Sequence, residues 1–154
     1  MKNKIFSLNF KDEDLRMLIL QTNHRTLAMW AIDCVKRVLP YYKQAFPDDP
    51  RPQCALGTLQ EWIETGQFNM KTIREAALAS HAAAREVGED NPARSVARAA
   101  GQAVATAHVP THALAAANYA LQAIHRAHLE DEPNHAVANE RAWQYQRLVD
   151  LQRK

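Results

Sequence analysis

The stretch IREAALASHAAAREV, residues 73–87, decides the fold class of this 154-residue chain. Alanine dominates it, and alanine favours helices because it loses no side-chain entropy when the backbone becomes helical. A second alanine-rich stretch, ARSVARAAGQAVATAH, follows at residues 93–108. Because alanine side chains are small, helices that carry them can approach each other closely. The two stretches therefore predict an all-α fold with closely packed, alanine-rich central helices.

Capping residues extend the helical prediction beyond this pair. Asn69 and Asn91 stand directly before the alanine-rich stretches, where an Asn side chain can accept a backbone N–H bond. Gly66 is placed to close the preceding helix, because glycine adopts the left-handed conformation of a helix C-terminus readily. Asp12 precedes the apolar run LRMLIL and is expected to cap the first helix.

Prolines and linkers set the expected number of helices. Pro40 is expected to kink or split a helix over residues 24–46, and Pro110 to kink a long helix or start a new one. Further helices are expected over residues 52–66, 70–87 and 92–108. A last amphipathic helix is expected after the linker EDEPNH, with an apolar stripe of Val137, Ala138, Ala142, Tyr145, Leu148 and Val149. The sequence predicts one domain over residues 1–154, a single compact bundle of six or seven helices, with residues 1–11 as an extended N-terminal arm.

Composition and charge argue against several classes of partner. Hydrophobic residues make up 47% of the chain and charged residues 23%, and the formal net charge is +2 at pH 7. The basic residues form no run of five or six, so no nucleic-acid partner is expected. No apolar run approaches the roughly 20 residues that span a bilayer, and the start lacks the apolar segment of a secretory signal. We therefore expect a cytoplasmic protein with reduced cysteines and no membrane partner.

The segment TAHVPTH, residues 106–112, places His108 and His112 four positions apart. On a continuous helix these imidazoles lie about 40° apart, on a half-apolar face with Gly101 and Tyr119. Helical metalloenzymes present two zinc ligands with this spacing. A zinc site would need a third ligand such as His81, and the glutamate of an HExxH motif is missing. We predict packed histidines first, a polar pocket or partner contact second, and no metal or other cofactor.

A second candidate site lies on the helix that carries His81. At 100° per residue, Arg74, His81 and Arg85 fall within about 40° of each other, and Arg98 lies on the next helix. These groups could form a small cationic pocket for a carboxylate or a phosphate. The favoured alternative is surface ion pairs, each worth about 0–1 kcal/mol, between the arginines and nearby acidic residues. Those residues are Glu75, Glu86, Glu89 and Asp90.

The turn PDDPRP, residues 47–52, carries a third candidate site. Asp48, Asp49 and Arg51 could form an acidic docking loop or a general acid–base pair. More often, an aspartate at the start of a helix caps backbone N–H groups and complements the helix dipole. Capping is therefore the favoured interpretation.

Three segments together carry a resemblance to a known family. They contain the motifs W-A-x-D-C in residues 25–42, P-D-D-x-R-P in residues 46–62 and A-T-A-H-V-x-T-H in residues 93–120, the last preceded by the stretch at 73–87. In this order the segments resemble a family of bacterial immunity proteins associated with polymorphic toxin systems. The resemblance spans about residues 24–120. It implies a compact all-α protein that binds and neutralises a protein toxin.

The resemblance implies a non-catalytic, cytoplasmic immunity protein whose partner is its cognate toxin. It transfers no active-site residues, and the net charge of +2 gives no general support for an acidic mimic of phosphate. The alternative function is a small helical enzyme or ligand-binding protein with a His-lined pocket, with or without a metal. A homodimer through the amphipathic last helix is a further expectation. The candidate pocket or partner-binding residues are His81, Arg85, Arg98, His108, His112, Tyr119, Asp48, Asp49 and Arg51.

Overall fold

The computed structural model describes residues 6–8 and 12–154, and it has eight α-helices in that part of the chain. Most of the predicted arm over residues 1–11 lies outside the described residues. The helices are α1 (Glu13–Leu20), α2 (His24–Lys36), α3 (Leu39–Ala45), α4 (Arg51–Thr65), α5 (Met70–Glu86), α6 (Pro92–Ala105), α7 (His112–Ala127) and α8 (Pro133–Gln152). The all-α prediction is confirmed, and no strand occurs among the residues described.

The predicted number of six or seven helices is too low, because one helix ends and another begins near both Pro40 and Pro110. The expected helix over 24–46 ends at Lys36 and restarts at Leu39, with Pro40 in the first turn of α3. Proline has no N–H to donate to the preceding turn, so it is tolerated there but not inside a helix. The second break separates α6 from α7, and Pro110 lies in the connecting turn.

Helix α6 lies at the centre of the bundle and packs against α2, α3, α4, α5 and α7. Its buried residues are nearly all small: Ala93, Ser95, Val96, Ala97, Ala99, Ala100, Gly101, Ala103 and Val104. The Ser80 hydroxyl on α5 donates a hydrogen bond of 2.7 Å to the main-chain carbonyl oxygen of Ala97. This contact requires the backbones of α5 and α6 to lie close together, which the alanines permit.

Three asparagine caps fix helix starts. The side chains of Asn23, Asn69 and Asn91 accept N–H bonds at the starts of α2, α5 and α6. Gly66 ends α4 with a φ of 69°, the left-handed conformation that glycine adopts at little cost. Asp12 departs from expectation, because its side chain makes no capping bond to α1. Its Oδ2 atom instead lies 2.9 Å from Nε of Arg141 on α8.

Helix α8 is held against α2 by polar bonds as well as by apolar packing. Trp30 Nε1–H donates to the carbonyl oxygen of Gln144 at 2.8 Å, and Arg147 donates to Asp33 at 2.8 Å. The buried residues of α8 include Gln144, Glu140 and Arg141, which the predicted apolar stripe did not contain. Conversely, Ala142 and Tyr145 were expected in that stripe and are exposed. The stripe was partly wrong, and the homodimer based on it stays a prediction.

The helices of residues 6–8 and 12–154 include none that is long and apolar enough to cross a membrane.

Candidate functional site

The main candidate site is a surface formed by α5, α6 and α7. We call it the cationic face and define it by Arg74, Leu78, His81, Arg85, Arg98 and His112. The first four lie on α5 at spacings of four, three and four residues, so they share one side of that helix. Arg98 lies on α6, and His112 is the first residue of α7. Since α6 packs against both of its neighbours, the three helices form one continuous surface.

His81 lies against Gly101, and this contact needs a glycine. A Cβ atom added at Gly101 would lie 2.6 Å from Nε2 and 2.7 Å from Cε1 of the imidazole. Real Cβ atoms essentially never come so close to another atom, so the ring occupies the space that a side chain at position 101 would need. Gly101 was predicted to share a helical face with His108 and His112, whereas the side chain that lies against it is His81.

The imidazole of His81 is half-buried among positive charges. Burial is the main cause that lowers its pKa, and the guanidinium groups of Arg98 and Arg85 and the imidazole of His112 lower it further. The lowered pKa favours the neutral form of the His81 imidazole. Its Nδ1 atom is buried and has no hydrogen-bond partner in the part of the chain that the structure describes. The structure thus brings together four of the predicted site residues.

The arginines of the cationic face do not form the predicted surface pairs. Glu86 pairs with Arg51 instead, and Asp90 pairs with Arg94 and Arg126. Across residues 6–8 and 12–154, no carboxylate lies within ion-pair distance of Arg74, Arg85 or Arg98. The arginines that do have carboxylate partners are Arg37, Arg51, Arg94, Arg126, Arg141 and Arg147.

His108 and His112 do not share a helical face. After Ala105 the chain leaves α6 through a turn, and it re-enters a helix only at His112. The Nδ1–H of His112 donates to Oε1 of Gln102 at 2.8 Å, which holds His112 beside α6. His108 is exposed in the turn, and its ring stacks on Phe68 with 6.0 Å between centroids. The shared face expected for a continuous helix does not form, because the turn containing Pro110 ends α6 and a new helix starts at His112.

The turn with His108 packs against the segment that joins α4 to α5. There His24 Nε2–H donates to the carbonyl oxygen of Thr106 at 2.5 Å, and its ring packs on Trp62 at 4.7 Å. A cavity of about 260 Å³ between α4 and α5 is lined by Trp62 and by Phe68, which is 47% exposed. Tyr119 is half-buried on α7 and packs against the core. Three or more metal-ligating side chains cluster nowhere in residues 6–8 and 12–154.

The third candidate site is a network that joins α3, α4 and α5. Asp49 accepts two side-chain bonds from Arg51, at 2.9 and 2.8 Å, and a bond of 3.1 Å from the main-chain N–H of Arg51 at the start of α4. Tyr42 donates its hydroxyl to the same carboxylate at 2.5 Å, and Arg51 also binds Glu86. Asp48 is exposed in the turn. Asp49 therefore makes a capping bond and lies at the centre of a hydrogen-bond network in which Asp48 takes no part.

The network shifts the pKa values of its members. The hydrogen bonds from the Arg51 side chain are the main cause that lowers the pKa of Asp49, and the Tyr42 hydroxyl contributes in the same direction. Burial, and then the hydrogen bond to Asp49, raise the pKa of Tyr42. Tyr42 was missed by the sequence analysis. The signal available was an aromatic residue seven positions before Asp49, on the preceding amphipathic segment.

We expect Asp49→Asn to destabilise the protein in a pH-dependent way. The folded-state pKa of Asp49 lies below the unfolded value of about 3.9. Its contribution is therefore complete above about pH 4 and is lost as the pH falls through the folded-state pKa. Hydrogen bonds to a charged group contribute about 1.5–3 kcal/mol, so the variant should lose about that much at pH 7. The measurement is urea unfolding of both proteins at pH 7 and pH 3.

The difference in free energy of unfolding should shrink at pH 3. Asp48→Asn is the matched control, because Asp48 is exposed and should change stability by no more than about 0.5 kcal/mol. A loss that is the same at both pH values would contradict the role given to the Asp49 carboxylate.

The cationic face also contains Leu78, which was not among the predicted site residues. Leu78 is 58% exposed on the same side of α5 as the arginines. The available signal was an apolar residue four positions from Arg74, at a solvent-facing position of an otherwise regular amphipathic pattern. Large apolar side chains exposed among charged ones are typical of surfaces that contact a partner.

Comparison with known proteins identifies a family. The model of the family described as "Imm-5 like putative immunity protein" matches residues 17–151, which include α2 to α7 entirely and nearly all of α8. No curated protein and no solved structure matches the chain. The resemblance noted for residues 24–120 is confirmed and extends further in both directions. The chain therefore belongs to the Imm-5 like putative immunity protein family.

Proposed function

We propose that this chain is a non-catalytic immunity protein that binds its cognate protein toxin in the cytoplasm and neutralises it by occlusion. The observation that carries the proposal is the family match over residues 17–151, since it covers almost every helix of the bundle. The proposal therefore rests on similarity over nearly the whole fold and not on one short motif.

The arrangement of the histidines supports binding over the alternative of a His-based enzyme. His81 and His112 lie on the cationic face, whereas the ring of His108 stacks on Phe68 in the segment between α4 and α5. His112 is held by Gln102, so its side chain already has a structural partner. An enzyme that used the three imidazoles together would need them around one reacting group.

Neutralisation by occlusion needs a moderate part of the surface. A stable protein–protein interface takes about 800 Å² from each partner. The described residues expose 8580 Å² in total, so the interface would use roughly a tenth of that surface. Such an area is compatible with a face built from two or three neighbouring helices.

The proposal is tested with the protein encoded by the neighbouring open reading frame, which is expected to carry the cognate toxin domain. We expect co-expression of this chain to restore growth of cells that express that domain. The purified proteins should form a one-to-one complex with a dissociation constant below about 1 μM. Titration of the chain into a toxin activity assay separates occlusion from catalysis, because a stoichiometric inhibitor abolishes activity only near one equivalent.

Two results would contradict the proposal. Complete inhibition by a small fraction of an equivalent would indicate that the chain modifies the toxin catalytically. Absence of both growth protection and complex formation would contradict the proposed function.

A further inference from the structure

The cationic face keeps three guanidinium groups without carboxylate partners, although the chain pairs many of its other arginines. Arg85 and Arg98 both act on the imidazole of His81, so these cations lie near one another. Grouping like charges on a folded surface is unfavourable unless something compensates for it. A group with negative charges is therefore the natural complement of this face.

The spacing of the arginines argues for a large anionic surface and against a small anion. Arg74 and Arg85 are 11 residues apart on α5, which corresponds to about 16 Å along the helix axis. A single phosphate or carboxylate cannot bridge that distance. Several carboxylates on one protein surface can, and the planar guanidinium group binds a carboxylate through two parallel hydrogen bonds.

Leu78 favours a protein over a nucleic acid. It is 58% exposed and lies between Arg74 and Arg85 along the same side of α5. An apolar side chain contributes little to contacts with phosphate groups, on which nucleic-acid binding chiefly depends. At a protein interface, by contrast, an apolar centre surrounded by charged groups is the usual arrangement.

We propose that the cationic face binds an acidic surface of the toxin, with Arg74, Arg85 and Arg98 against its carboxylates and Leu78 in an apolar contact between them. This inference rests on the proposed function and adds to it the binding surface and the chemistry of the partner. It describes the opposite of phosphate mimicry, in which an inhibitor presents acidic groups to a basic nuclease cleft. The toxin surface that this face covers is rich in Asp and Glu.

The test is a charge reversal with a control of equal net charge. Arg85→Glu/Arg98→Glu changes the formal charge from +2 to −2, and so does the control Arg16→Glu/Arg153→Glu on exposed arginines of α1 and the end of α8. Since like charges across an interface are strongly unfavourable, the first variant should bind the neighbouring toxin domain at least about 100-fold more weakly. The control should remain within about threefold of the original protein.

Two further measurements keep the inference testable if the reversal disturbs folding. Arg85→Gln/Arg98→Gln introduces no repulsion, and it should weaken binding about tenfold while retaining the circular dichroism spectrum. Raising NaCl from 50 to 500 mM should slow association of the original protein markedly, and that of the Gln variant much less.

The failure of this inference is distinguishable from failure of the proposed function. If the original protein binds and neutralises the toxin, and both face variants do so equally well, the cationic face is not the interface. If the original protein does not bind the toxin, the proposed function fails first. Binding to generic duplex DNA at 150 mM NaCl as tight as to the toxin would overturn the choice of a protein partner. Saturable binding of inorganic phosphate that blocks toxin binding would instead indicate a small-anion site.

Discussion

Replacing Trp30 with alanine is expected to lower the free energy of unfolding by about 3–5 kcal/mol, the range for removal of a large aromatic side chain from a core. Trp30 is completely buried in α2, and its indole N–H donates to the carbonyl oxygen of Gln144 in α8. The variant therefore loses apolar burial and leaves a cavity, and it also loses a bond between two helices that are distant in sequence. Since natural domains are stable by about 5–15 kcal/mol, most of the stability is at risk.

Urea unfolding followed by circular dichroism measures this loss without depending on tryptophan fluorescence. Trp143→Ala is the matched control, because Trp143 is only partly buried and its ring lies 4.1 Å from the guanidinium of Arg37. The control loses a cation–π contact of about 0.5–1 kcal/mol and part of its packing against the core, but no buried hydrogen bond, so its loss should be smaller. Trp30→Phe should fall between the two, since it keeps a ring but has no N–H. Equal losses for Trp30→Ala and Trp143→Ala would contradict the anchoring role of Trp30.

The W-A-x-D-C motif serves the fold in this structure. Trp30 and Cys34 are completely buried, and burial is the main cause that raises the pKa of the Cys34 thiol. Asp33 accepts a bond of 2.8 Å from Arg147 on α8. The motif residues thus join α2 to the core and to the last helix. A motif that marks a family can therefore report the packing of its bundle and not its binding surface.

The fold class was predictable because its determinants are local. Alanine content, the Asn69 and Asn91 caps and Gly66 act within a few residues, and all three caps occur where the sequence placed them. The helix count was not predictable in the same way. Whether Pro40 and Pro110 bend a helix or end it depends on whether the next segment packs better in a new direction, which is a property of the whole bundle.

The candidate site was predictable only along single helices. The spacing of Arg74, His81 and Arg85 correctly placed them on one side of α5. The predicted ion pairs between the arginines of this face and nearby acidic residues were wrong. Arg51 at the start of α4 pairs with Glu86 at the end of α5, and Arg126 on α7 pairs with Asp90 before α6, because the packing of separate helices brings them together. Residue spacing along one helix predicts the side of the helix on which a side chain lies. The ion-pair partner of that side chain depends on how separate helices pack together.

Arg141→Ala is expected to have the second large effect, a loss of about 3–5 kcal/mol, the range for breaking a buried charged network. Arg141 is 8% exposed, and it donates to Gln144 at 2.8 Å and to Asn118 on α7. Its Nε atom lies 2.9 Å from Asp12 Oδ2, without the alignment of a hydrogen bond, so this contact is an ion pair. Burial lowers the pKa of Arg141. The buried positive charge is therefore unfavourable by itself, and its hydrogen-bond and ion-pair partners must compensate for the lost solvation.

Removing the guanidinium leaves the side-chain oxygens of Gln144, Asn118 and Asp12 without their donor. The variant should therefore lose more stability than the intact network contributes, because buried polar atoms without partners are themselves unfavourable. Arg147→Ala on the same helix is the control. Its ion pair with Asp33 is 33% exposed on the arginine side and should contribute about 0.2–1 kcal/mol. Arg141→Lys separates charge from geometry, because lysine keeps the charge but cannot reach Asn118, Gln144 and Asp12 with one planar group. A loss below about 1 kcal/mol for Arg141→Ala, measured by urea unfolding, would mean that solvent replaces the guanidinium and that the other contacts of α8, such as those with Trp30 and Asp33, hold it in place.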